Sequence, residues 1–171
     1  MTCKFNGKIS AEFTPPKTWV LEKDLSFTVG MDHGITEDDI DTLKEVGANV
    51  ANSGAELKIA HIVCEKGMKT DLASVPRIAW NIIAPWDIAR AAVIHDHLYA
   101  VLREYYNSKD MSKMKWKRCR KISDKIFLLG MKAAEPKVLK FKMYSAYWSV
   151  RLFGRWPASA KEQVKYLSGG K

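Results

Sequence analysis

Long apolar runs and cysteine pairs are what this chain lacks, and past residue 70 it has few acidic residues. None of its 171 residues belongs to a run approaching the ~18 apolar residues of a membrane-spanning helix. Cys3, Cys64 and Cys119 are far apart and odd in number. No CxxC occurs, so neither a zinc knuckle nor a disulfide framework is signalled, and reduced thiols in a cytosolic protein are expected. The opening MTCKFNGKIS has no apolar core of a secretory signal. A protein of this kind acting outside its cell of origin would leave by lysis or inside a particle. Acids are depleted unevenly. Residues 1–70 hold 8 Lys/Arg and 11 Asp/Glu, net −3, whereas residues 71–171 hold 20 and 8, net +12. The basic part is the one expected to meet an anionic partner or a larger assembly.

What is present suits one domain spanning residues 1–171, with hydrophobic content of 47% and charged content of 27%. The first third reads as strands. Lys8 to Phe13 alternates polar and apolar residues until Pro15-Pro16 stops it. Trp19 to Val29 is β-branched and aromatic with Lys23-Asp24 near its middle, which fits two short strands or one bent strand. Glu56 to Cys64 is a further strand, closed by Lys66-Gly67. Residues 30–54 read as an insert. Thr36 caps a helix whose first turn is acidic, Ile40, Leu43 and Val46 recur at helical spacing, and Gly47 ends it. Asn49 to Ala55 is expected to be a loop. Helical periods then take over: Asp87 to about Tyr106, Met111 to Ala134, and a third helix with Pro136 in its first turn, ending near Gly154. The tail, residues 155–171, has one short amphipathic stretch around Val164 and Leu167. Strands followed by helices, without βαβ alternation, predict an α+β fold: a small antiparallel sheet packed on about three helices.

Polar chemistry concentrates in three stretches: TDLASVP (Thr70 to Pro76), HDHLY (His95 to Tyr99) and SDKIF (Ser123 to Phe127). His95 and Asp96 interrupt an apolar helix, and Tyr99 lies at i+4 from His95 and i+3 from Asp96, so all three are expected on one face. A carboxylate in a buried helix needs a partner. Asp124, on the next and antiparallel helix, is a candidate, and Asp71 is a third acid in a loop with Ser74. Two functional arrangements are open. Asp71, His95, Asp96 and Asp124 can ligate a divalent cation that activates water. Alternatively, His95 is a general base oriented by Asp124, while Asp96 holds a cation or fixes the loop. A third arrangement needs no ligand: one buried network locking the N-terminal loop to two helices. Ser74, Tyr99 and Arg120 are candidates for contacting substrate. His97, one residue out of phase, reads as a surface or rim histidine; His61 and His33 read as bland.

The succession TDLASVPR, AAVIHDHLY and Arg120-x-x-x-Asp124-x-x-Phe127, with Glu65 to Lys69 and Trp19-Val20-Leu21 before it, resembles an uncharacterised family of tailed bacteriophages and prophages, a domain of unknown function. The resemblance implies a phage or prophage origin, hence host cytoplasm or virion, and supplies no activity. His-Asp-x-x-Tyr followed by a helix bearing Asp and Phe is similar to the paired helices of secreted phospholipases. That likeness implies His as base and Asp as a calcium holder, reached separately, since their dense cysteines and glycine-rich calcium loop are missing. AAVIHD also resembles the His-Asp helix of HD-type phosphohydrolases, in which His61 and Asp124 would complete the set, although His61 lies in strand-like sequence.

Lys109 to Lys121 holds seven Lys/Arg, one acid and Trp116. It reads either as a grip for phosphates or headgroups or as a solvated face with an inward apolar stripe. Phe141, Tyr144, Tyr147, Trp148 and Phe153 on the third helix are expected to be mostly core. The leading expectation is a hydrolase acting on peptidoglycan or lipid of the cell envelope, with a divalent metal in support. The alternatives are a non-enzymatic component meeting other phage particle proteins, and a basic binder of nucleic acid or another anionic polymer.

Overall fold

In a computed structural model, the described residues are 3–16, 18–52, 58–70, 85–108, 111–155 and 158. They form seven strands and four α-helices, the expected α+β class. The strands are β1 (Lys4–Phe5), β2 (Ala11–Thr14), β3 (Thr18–Leu21), β4 (Leu25–Gly30), β5 (Val50–Asn52), β6 (Ile59–Cys64) and β7 (Lys69–Thr70). The helices are α1 (Glu37–Glu45), α2 (Pro85–Ser108), α3 (Lys113–Lys132) and α4 (Lys140–Phe153).

There are two antiparallel sheets rather than one, ordered β1-β4-β6-β5 and β2-β3-β7. The apolar stretch from Trp19 to Val29 supplies one strand to each, because the polar Glu22-Lys23-Asp24 breaks it. β3 pairs with β2 and β7, whereas β4 pairs with β1 and β6. Residues 49–52 are not all loop: Val50–Asn52 pairs with Ala60–Ile62 as an edge strand, too short to show a sequence period. The first strand of the small sheet begins at Ala11, not Lys8.

The helix boundaries have local causes. Thr36 and Asp39 form a reciprocal capping box at α1, and Gly47 follows at a φ of 94°, a left-handed turn suited to glycine. α2 already includes Asp87, so Asp87 is not its cap. Ser112 caps α3 through the Lys115 N–H. α4 starts at Lys140, not at Pro136, which stays in the connecting turn.

Ala60, Ile62 and Cys64 of β6 and Phe27 and Val29 of β4 pack with Val93, Ile94 and Leu98 of α2 and Ile122 and Ile126 of α3. Across α3 from the sheet, Ala91, Phe127, Met131, Met143, Ala146 and Val150 join α2, α3 and α4. The two long helices approach closely at Gly130, where a Cβ would come within 3.0 Å of the Ala91 Cβ. Part of the basic charge of α3 is met inside the molecule. Arg118 pairs with Asp38 and Asp39, and Lys115 lies 2.5 Å from Glu45, so the acidic insert helix docks on the basic helix. No helix among the described residues is long and apolar enough to cross a membrane.

Candidate functional site

α2 and α3 are antiparallel, and their turn is centred beyond Ser108, since α2 runs through that residue. That shift brings His95 level with Asp124. His95 Nε2 lies 3.0 Å from Asp124 Oδ1, and the Tyr99 hydroxyl donates to the same oxygen at 2.6 Å. Arg151, from α4, donates to Asp124 Oδ2 at 2.6 Å, and Arg120 Nε stands 3.7 Å from that oxygen. Arg120 also donates to the Arg151 carbonyl and lies over the Trp116 ring. Asp124 is 0% exposed and His95 4%. Phe127, one turn on from Asp124, packs against the imidazole with ring centroids 4.9 Å apart.

Burial alone would push the Asp124 carboxyl up, but the hydrogen bonds from His95, Tyr99 and Arg151 outweigh it and hold it below the usual carboxylate range. An ionised carboxylate can only accept. His95 must therefore carry its proton on Nε2 when neutral, which leaves Nδ1 with the lone pair. No described residue bonds that nitrogen. Tyr99, buried beside an anion, is pushed far up and stays a donor.

Asp96 does not share this face. Consecutive helical residues point about 100° apart, and Asp96 turns toward the small sheet, where Thr70 Oγ1 donates to its Oδ2 at 2.7 Å. Burial, and then the charge of Asp96, push the nearby Cys64 thiol up; that thiol lies 3.8 Å from the Val93 carbonyl. Thr70 is the last described residue before residues 71–84, so Asp71 and Ser74 lie outside the described residues. His97 is half-buried rather than superficial. Its Nε2 is buried without a hydrogen-bond partner among the described residues, and burial pushes its pKa down to about 4. His61 alternates with the residues that face α2 and bonds Thr28 across the β4–β6 pair at 2.9 Å. It is therefore not set beside His95, which leaves the HD-type arrangement without its second histidine.

Among the described residues no three His, Cys, Asp or Glu side chains gather for a metal ion. Asp124 suits one poorly, because two guanidinium groups already stand within 4 Å of one oxygen and two donors take the other.

The motif-bearing core coincides with a known grouping: residues 49–150 match the family model described as a protein of unknown function, DUF1353. The chain belongs to the DUF1353 family. The match holds β5 to β7, α2, α3 and most of α4, and with them His95, Asp96, Tyr99, Arg120 and Asp124. It omits Trp19 and the insert helix α1, and stops one residue before Arg151. No curated protein and no solved structure matches the chain. Arg151 is the partner that sequence reasoning missed. Its signal was present: it is the only charged residue between Lys142 and Arg155, on a helix that packs against α3.

Proposed function

We propose that this DUF1353 protein is a hydrolase in which His95 is the general base and Asp124 orients it. The observation that carries the proposal is the buried pair itself. An anionic Asp124 on Nε2 fixes the tautomer, aims Nδ1 as the acceptor and stabilises the imidazolium that forms when His95 takes a proton from water. Tyr99, Arg120 and Arg151 hold the carboxylate still. Asp96, with Asp71 from the neighbouring stretch, would hold a divalent cation, whose contribution when bound is to polarise the substrate's carbonyl or phosphoryl oxygen. Ser74 is proposed to contact the substrate. The likeness to the paired helices of secreted phospholipases supports this division of labour. The phage-type motif order supports a bacteriophage or prophage origin, with residence in the infected host or the virion. Both together make envelope lipid or peptidoglycan the substrate class.

Purified protein supplied with calcium, magnesium or zinc is to be assayed on phospholipid vesicles and on peptidoglycan. Turnover is expected with one of them. His95→Asn and Asp124→Asn should lower it by about 10²–10⁴, with the folded state checked by circular dichroism. Full activity in His95→Asn removes His95 from the mechanism. A second reading has its own support, since Asp124 is fully buried with its oxygens bonded from two other helices, as a structural lock requires. Under it, no substrate is turned over and both variants change only stability.

A further inference from the structure

The aromatic residues of α4, expected in the core, are mostly outside it. Phe141 is 70% exposed, Trp148 58% and Leu152 68%, and Tyr144 is exposed beside them. At 100° per residue these four fall within about 80° of one another, opposite Met143, Ala146 and Val150, which are buried. The helix is thus apolar on two opposed faces, and only the inner one has a partner among the described residues. The segment that carries the outer face is basic. From Pro136 to Arg155 there are five Lys/Arg and no Asp or Glu; Arg151 is engaged by Asp124, while Lys137, Lys140 and Arg155 are exposed.

We infer that the outer face of α4 docks on an anionic lipid bilayer, lying along its surface. The amphipathic aromatic rings suit the headgroup boundary, and the lysines suit its negative potential. A second copy of the chain suits the face less well, because two such rims would bring like charges together. The inference does not depend on His95 chemistry, since binding is scored without turnover.

The test is co-sedimentation of the full chain with phosphatidylglycerol vesicles and with phosphatidylcholine vesicles. Binding is expected to the anionic vesicles only and to weaken with salt. Phe141→Ser/Trp148→Ser should reduce it by about tenfold or more, and Lys137→Gln/Lys140→Gln by about tenfold. All four side chains are exposed, so thermal unfolding should be unchanged, which separates lost docking from lost fold. Absence of binding to anionic vesicles overturns the inference, as does binding that the aromatic pair does not affect. So do two alternative occupants: a dimer in vesicle-free buffer that Phe141→Ser/Trp148→Ser dissolves, or binding that appears only when residues 159–171 are removed.

Discussion

His95 and Asp96 are consecutive residues that live in different surroundings. The His95 side of α2 looks across to Asp124, a fully buried carboxylate bonded by His95, Tyr99 and Arg151. The Asp96 side looks toward β7, where Thr70 bonds one carboxylate oxygen and residues 71–84 continue. On the first side, removing a partner strands a buried charge; on the second, it takes one donor from a half-buried carboxylate. The difference teaches that adjacent residues of one motif can serve two separate surroundings, with the ~100° helical step as the divider.

That contrast can be broken most forcefully at Asp124. Asp124→Ala leaves two guanidinium groups and a histidine without their anion, and is expected to lower unfolding free energy by about 3–5 kcal/mol in urea titration. A loss as small as that of a surface substitution would mean that the network is not tight. The wild-type term has a pH signature as well. The Asp124 pKa is lower in the folded chain than in the unfolded one, so its stabilisation is present above about pH 4 and fades as pH falls through the folded value.

His97 sharpens the comparison from a third direction. Its folded pKa of about 4 lies below the ordinary histidine value near 6.5. The unfolded chain therefore binds the extra proton between these values, and stability should fall by roughly 3 kcal/mol as pH drops from about 6.5 to about 4. His97→Phe is expected to flatten that part of the profile. An unaltered profile would show that another group controls it.

Smaller effects separate the two sides more finely. Tyr99→Phe removes one donor from Asp124 and should cost about 1.5 kcal/mol. Asp96→Asn keeps an acceptor for Thr70 and should cost less than about 1 kcal/mol. If the proposed cation site is real, Asp96→Asn should nonetheless abolish the dependence of turnover on divalent ions. Equal destabilisation by these two variants would erase the distinction between the faces.

The legible parts of the chain were those with a local cause. The Thr36 cap, the break at Lys23-Asp24 and the i, i+4 pairing of His95 with Tyr99 all follow from neighbours in sequence. Asp124 was reachable because a short turn makes α2 and α3 neighbours. The rest depended on tertiary choices. A two-strand arrangement from Trp19 to Val29 does not announce that its halves enter different sheets, and three residues of β5 carry no period. Asp96 was expected on the face of His95, yet adjacent helical residues diverge. The aromatic content of α4 measured its apolarity without saying which side would be covered.

Gly130 bears on all of this as a spacer of zero thickness. The helices that carry His95 and Asp124 are held at a separation set where Gly130 meets Ala91, with clearance for hydrogen and little else. The 3.0 Å imidazole–carboxylate distance thus inherits its tolerance from a place without any functional group. A methyl inserted there acts as a wedge at one end of a pair of beams, and alignment two turns away along α3 drifts while both reactive side chains remain intact.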